Sequence, residues 1–288
     1  MKKPYIIGGT ILLVLIGGFV FNRYVYSKIE YKKGLSYYKN KNYQKALPLF
    51  KDAANQGYAP AEDHLGRMYL FGLGVLKNYD KAMYWFKKSA EQGDADGGFD
   101  LSVIYVNGLG VPRNYRKALY WMKKSAEQGN ATGEYGLGWM YLFGKGVPKN
   151  YDEALYWVKE SAGQGSARGE YLLGYMYENG LGVPKDYNKA LSWYKKSAEQ
   201  GNAPAEDDLG YMYEHGLGVP QDYNKALYWL KKAAEQGYAK AENNLGNMYA
   251  NGLGVPQDYN KAVYWYKKAA EQGYAPAKAN LERLESEH

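Results

Sequence analysis

The chain has 288 residues, 23% charged and 46% hydrophobic; these are ordinary globular values that exclude general disorder and collagen. It contains no cysteine, which excludes a disulfide scaffold, a thiolate metal or iron–sulfur site and a cysteine nucleophile. The formal charge is +7, but residues 1–33 carry +5 of it through Lys2, Lys3, Arg23, Lys28, Lys32 and Lys33 against Glu30. The rest of the chain is nearly balanced, which argues against nucleic acid as a partner.

Residues Tyr5–Phe21 are uncharged and follow Lys2, Lys3 and Pro4. As a helix this run would span about 25 Å, slightly short of the ~30 Å hydrocarbon core. Tyr5, Tyr24 and Tyr26 would sit at the interfaces, and Arg23 would snorkel. Residues 1–27 are therefore expected to form a single-pass transmembrane anchor. A cleavable signal peptide is the alternative, with Val25-Tyr26-Ser27 as its small-residue site, although the apolar run exceeds the usual length. The basic residues after the run favour a cytoplasmic body, whereas the Met-Lys-Lys start favours export. The expectation is a membrane protein whose body is extracytoplasmic or periplasmic, with the cytoplasmic orientation as the other option.

Beyond the N-terminus one period dominates. Leucine recurs 36 residues apart at Leu65, Leu101, Leu137, Leu173, Leu209, Leu245 and Leu281, and tryptophan at Trp85, Trp121, Trp157, Trp193, Trp229 and Trp265. Glycine does the same from Gly57 to Gly273. Residues 58–273 make six such units, and each reads as two helices. In helix A of the first, Ala61, Leu65, Met68 and Tyr69 share a face. Gly72 and Gly74 stop that helix, and Asn78 caps helix B, a place taken later by Asp186, Asp222 and Asp258. In helix B, Ala82 and Trp85 share a face and Gly93 ends it, while Ser89 and Ala90 admit a close neighbour. No unit buries its face alone, so the hairpins must stack into an all-α solenoid. The Gly-x-Gly-Val-Pro segment is a hairpin connection, since the frame of a phosphate loop is missing. The repeated tryptophans are expected in the core, and the Lys-Lys pairs such as Lys87/Lys88 as a solvated stripe. Gly97-Gly98 lies inside a helix and should make the second unit the weakest.

The pattern L-G-x-M-Y-x-x-G-x-G-V-P-x-D-Y-x-K-A-x-x-W-x-x-K-A-A-x-x-G, complete at 209–237 and 245–273, resembles the Sel1-like repeat, a relative of the tetratricopeptide repeat. Residues 28–57 resemble an ordinary tetratricopeptide hairpin through Gly34, Tyr37, Ala46, Phe50 and Ala53, and residues 274–288 add a capping helix. The resemblance implies a right-handed α-solenoid that works as a scaffold or adaptor for protein–protein interaction, with helix A lining the concave side.

Positions two before, two after and five after the repeating leucine lie about 180° from it on helix A. They supply a candidate binding groove of Phe99, Tyr135, Trp139, Leu142, Tyr171, Tyr175 and Tyr211, flanked by the polar Asp63, Arg67, Glu178, Asp207 and Glu214. An aromatic patch on a solvated groove marks a binding surface, unless neighbouring helices bury it. The expected ligand is a peptide or protein segment; the alternative is an envelope glycan such as peptidoglycan stacked on Tyr135, Trp139, Tyr171 and Tyr175. No cofactor or metal is expected, since His64, His215 and His288 have no ligand spacing. No enzyme is expected either: Glu206 and Asp208 should point away from Asp207 and Glu214, and no nucleophile–base pair can be named. Asn130-Ala131-Thr132 is a glycosylation sequon of weak meaning.

Overall fold

The computed structural model describes the backbone of residues 8–287 and the side chains of residues 23–286. The expected membrane segment, Tyr5–Phe21, therefore lies outside the residues described in full. Among the described residues no helix is long and apolar enough to cross a membrane. They form fifteen helices and no strand, divided between two compact units.

Unit 1 holds α1 (Gly8–Lys39), α2 (Tyr43–Asn55), α3 (Ala59–Phe71), α4 (Tyr79–Glu91), α5 (Ala95–Asn107), α6 (Tyr115–Ala126) and the start of α7 (Ala131–Phe143). From α1 to α6 each helix packs on the next, and α3 also touches α5. Unit 2 holds the rest of α7 with α8 (Tyr151–Gly163), α9 (Ala167–Asn179), α10 (Tyr187–Glu199), α11 (Ala203–His215), α12 (Tyr223–Glu235), α13 (Ala239–Asn251), α14 (Tyr259–Glu271) and α15 (Ala275–Glu287). From α8 onward each again packs on the next.

Local chemistry sets the boundaries. Gly72 ends α3 in the left-handed conformation, with φ 71°, and its N–H donates to the Met68 carbonyl. Asn78 opens α4 by accepting from the Lys81 N–H at 2.8 Å. Asp186, Asp222 and Asp258 cap α10, α12 and α14 in the same way, and such caps stabilise a helix by about 1 kcal/mol. Gly74 is needed twice over. Its φ is 68°, and a Cβ there would sit 3.0 Å from the backbone of Tyr43, the first residue of the preceding helix B. The same contact joins Gly218 to Tyr187 and Gly254 to Tyr223.

Helix A buries Ala61, Leu65 and Met68 as expected. Helix B departs from expectation. Trp85, Trp121, Trp229 and Trp265 are only partly buried and lie against the core clusters. The fully enclosed large residue is the next one along: Phe50, Phe86, Tyr194, Leu230 and Tyr266, all at 1% exposure or less. The central line of helix B runs through Ala82, Phe86 and Ser89, so a residue at position 85 is turned about 100° onto the flank. Where a tyrosine takes the inside place, its hydroxyl finds an acceptor: Tyr194 donates to Glu178 at 2.6 Å and Tyr266 to Asn247 at 2.7 Å.

Gly97 also has a packing reason. A Cβ on it would lie 2.5 Å from the Ser89 hydroxyl, and Gly133 and Gly169 meet Ser125 and Ser161 in the same manner. These serines are the close neighbours themselves, donating to the first residue of the preceding helix A: Ser89 to Ala59 and Ser125 to Ala95.

Candidate functional site

The helix-A face opposite the leucine is not uniformly open. Asp63, Phe99, Leu142 and Asp207 are all buried, between 0% and 8% exposed. They were expected to line or flank a solvated groove; adjacent helices cover them instead. In unit 1, Arg67 lies 3.1 Å from Asp63 Oδ2 and donates through Nε to Asp100 Oδ2 of α5. Burial first, and the nearby Asp100 charge second, push the Asp63 carboxyl well above its ordinary range. In unit 2, Lys240 of α13 sits 2.9 Å from Asp207 and 2.6 Å from Asp208, while Asn244 donates to Asp207 at 2.9 Å. Asp207 and Asp208 thus share one lysine rather than pointing apart. Only Glu206 turns elsewhere, to Lys232 and Gln236. These contacts form polar ties between successive helices A.

What stays accessible is aromatic. Trp139, Tyr171 and Tyr175 are half-buried, and Tyr211 is 41% exposed. Trp139 lies 5.6 Å from Phe143, ring centroid to centroid, and Phe143 lies 6.1 Å from Tyr175, joining α7 to α9. Phe143 was missed in the sequence because it sits at the helix end, next to the stop glycine. Tyr171 leans on the buried Tyr194 at 5.7 Å, and burial followed by the Asp208 charge pushes its hydroxyl pKa up. Tyr211 stacks on His215 at 4.0 Å. Glu178 is committed to Tyr194, and burial raises the Glu214 carboxyl. Tyr135 of unit 1 is half-buried.

The lysine pairs divide their labour. In three pairs the first lysine makes an exposed i,i+4 contact, Lys87 with Glu91, Lys123 with Glu127 and Lys195 with Glu199, while Lys267 reaches Glu285 of α15. The second is not merely solvated. Lys88, Lys232 and Lys268 lie 4.8–5.1 Å over the ring of Trp85, Trp229 and Trp265, and 3.4–3.6 Å from the fully buried Glu62, Glu206 and Glu242. A cation on an indole face next to a buried carboxylate offsets part of that carboxylate's desolvation. His64 is caged by Tyr31, Tyr38 and Phe50 at 5.2–5.4 Å. Asn130 spends its side chain on Thr132, Gly133 and Asp96. Among the described residues no three His, Asp or Glu side chains gather as a metal site.

Paired helices with polar ties and an accessible aromatic strip define a helical-repeat solenoid. The Sel1 repeat model matches seven times, at residues 24–58, 59–94, 98–130, 131–166, 167–202, 203–238 and 239–274, and the chain belongs to the Sel1 repeat family. The first hairpin, read above as an ordinary tetratricopeptide unit, is thus itself matched as a Sel1 repeat. No curated protein sequence matches the chain. Among solved structures it is similar to a Sel1 repeat protein from Oxalobacter formigenes, with TM-score 0.71, 36% identity and coverage of 83% of this chain and 96% of that one. It is also similar to c5321, a protective antigen present in uropathogenic Escherichia coli strains, with TM-score 0.63 and 36% identity over 90% of this chain and 56% of the antigen. Yeast Tom70, at 15% identity and TM-score 0.50 over 91% of this chain and 64% of its own, shares the fold alone. Repeats of this family typically mediate protein–protein interaction.

Proposed function

We propose that this chain is a membrane-tethered adaptor that holds a peptide or protein segment on the helix-A face of unit 2, against Trp139, Phe143, Tyr175 and Tyr211. The observation that carries the reading is the run of ring contacts Trp139–Phe143–Tyr175 on α7 and α9, left half-open although Tyr175 also leans on a buried cluster. The corresponding place in α13 is Asn247, so the fold does not demand an aromatic there. Rigid aromatic rings at the centre of a polar surface are the residue types that dominate binding energy in protein interfaces. The tether is the uncharged run Tyr5–Phe21 behind Lys2 and Lys3, with the repeats outside the cytoplasm.

Panning a random peptide library on the full chain and on a Trp139→Ala/Tyr175→Ala variant tests the site. Enrichment on the wild-type chain alone, with matched melting temperatures, is the expected result. Equal enrichment on both, or a variant that melts far lower, removes the site. Retention on purified cell wall but not on peptide replaces the peptide with a glycan.

A further inference from the structure

One repeat lacks a carboxylate that its sisters bury. The fourth residue of helix A is Glu62, Glu170, Glu206 and Glu242 in α3, α9, α11 and α13. Each accepts from a glutamine of its own hairpin: Gln92 at 2.5 Å, Gln200 at 2.7 Å, Gln236 at 2.6 Å and Gln272 at 2.7 Å. Lys88, Lys232 and Lys268 add an ammonium to three of the four. In α5 the same place is Gly98. The nearest atoms to a Cβ built there are the Trp121 carbonyl oxygen at 3.6 Å and Ser125 Cβ at 3.9 Å, so the side-chain direction is open.

The donors remain without a glutamate to receive them. Gln128 turns its amide onto the Lys124 carbonyl of its own helix at 3.0 Å. Lys124 makes no ion pair among the described residues, and its ammonium rests over the rings of Tyr120 at 4.7 Å and Trp121 at 5.5 Å. The outcome is a pocket of about 330 Å³ whose lining includes Ala90, Gly98, Trp121, Lys124 and Gln128. Glu91, Asp94 and Glu127 also line it, and each has a partner. Glu91 pairs with Lys87 and Glu127 with Lys123, both at 3.7 Å, and Asp94 Oδ2 accepts from the Ser89 hydroxyl and the Gly97 N–H. Among the lining residues Lys124 is the one cation, and its ammonium has no carboxylate within ion-pair distance among the described residues.

We propose that this pocket between α5 and α6 binds a carboxylate supplied from outside the chain, with the Gln128 amide and the Lys124 ammonium as donors. The carboxylate takes the place that glutamate fills in the sister repeats, and its methylenes lie along Trp121 and Ala90. Its source is either an acidic residue of a bound peptide or a free short carboxylic acid. The pocket shares no residue with the aromatic face of unit 2, so the two proposals stand or fall separately.

Propionate, which reproduces the glutamate side chain, is the probe. The purified full-length chain is melted with increasing sodium propionate, and with propionamide in sodium chloride of matched ionic strength. Propionate alone should give a saturable rise in Tm of a few degrees. Gly98→Glu should raise Tm without ligand and abolish the response, Gly98→Ala should keep it, and Lys124→Met should weaken half-saturation tenfold or more. A blocked tripeptide with one glutamate, run in parallel, distinguishes the sources: tighter saturation than propionate assigns the site to a partner's acidic residue, and weaker saturation to a free acid. Equal responses to propionate and propionamide, no response to either, or an unchanged response in Lys124→Met overturns the proposal, whether or not Gly98→Glu folds.

Discussion

Gly97 and Gly98 are neighbours in α5, yet a methyl group collides on the first and finds room on the second. Gly97→Ala should therefore destabilise the chain by about 1–3 kcal/mol through overpacking against Ser89. Gly98→Ala should add roughly 0.5–1 kcal/mol, the helical gain of replacing glycine. Combining Gly97→Ala with Ser89→Ala should recover much of the loss, because Ala233 and Ala241 already occupy the equivalent places at the α12–α13 joint. Urea unfolding of the four proteins measures the cycle, and additivity would show that Ser89 is not the obstacle. His64 makes a second residue-scale case. Burial first, and the Arg67 charge second, lower its pKa from 6.5 to about 4, while its Nδ1 bonds the Pro60 carbonyl at 3.1 Å. Tyr31 and Tyr38 of α1 and Phe50 of α2 face the ring, and Asp63 Oδ2 lies 3.7 Å away. Between pH 6.5 and 4 the unfolded chain takes a proton that the folded chain refuses, so stability is full above that window and falls as pH drops through it. His64→Gln should flatten that fall. Asp63 and Asp100, both raised by burial, act with opposite sign, so the difference between wild type and variant is the quantity to read.

Helices A and B differ in how far letters alone could place them. The boundaries were legible because glycine, asparagine and aspartate at the helix ends act through local backbone chemistry. The inner residue of helix B was not. Phe50, Phe86, Met122, Val158, Tyr194, Leu230 and Tyr266 keep the period but change identity, whereas the invariant tryptophan drew the core assignment to the flank. Helix A misled in another way. A wheel treats it as a cylinder with one covered face, but in the stack α3 has α2, α4 and α5 around it. The place two before the leucine is covered at Asp63 and Asp207, while the place two after it keeps open surface at Trp139, Tyr175 and Tyr211. Leu230→Ala should cost about 2–5 kcal/mol, the range for a buried leucine. Lys231→Ala, at an exposed site one residue on, should stay within about 0.5 kcal/mol. Thermal melts of both variants check the pair.

At the scale of the molecule, a solenoid repeat rests on its neighbours, and stability sums over joints rather than over one central core. The contact of a loop glycine with the preceding helix's first tyrosine, Gly218 on Tyr187 and Gly254 on Tyr223, means that every repeat carries both halves of its joint. Deleting residues 201–236 joins Gln200 to Gly237, restores the Glu-Gln-Gly junction and brings Gly254 to Tyr187. The shortened chain should still melt cooperatively. A chain lacking only 201–218 would lose α11 and leave α12 without its partner, and it should not fold through this region. Circular dichroism melts of the two deletions separate these outcomes. The gene is therefore free to grow or shrink by unequal recombination, but only in steps of one whole period, and descendants of a common ancestor should differ in length by multiples of it.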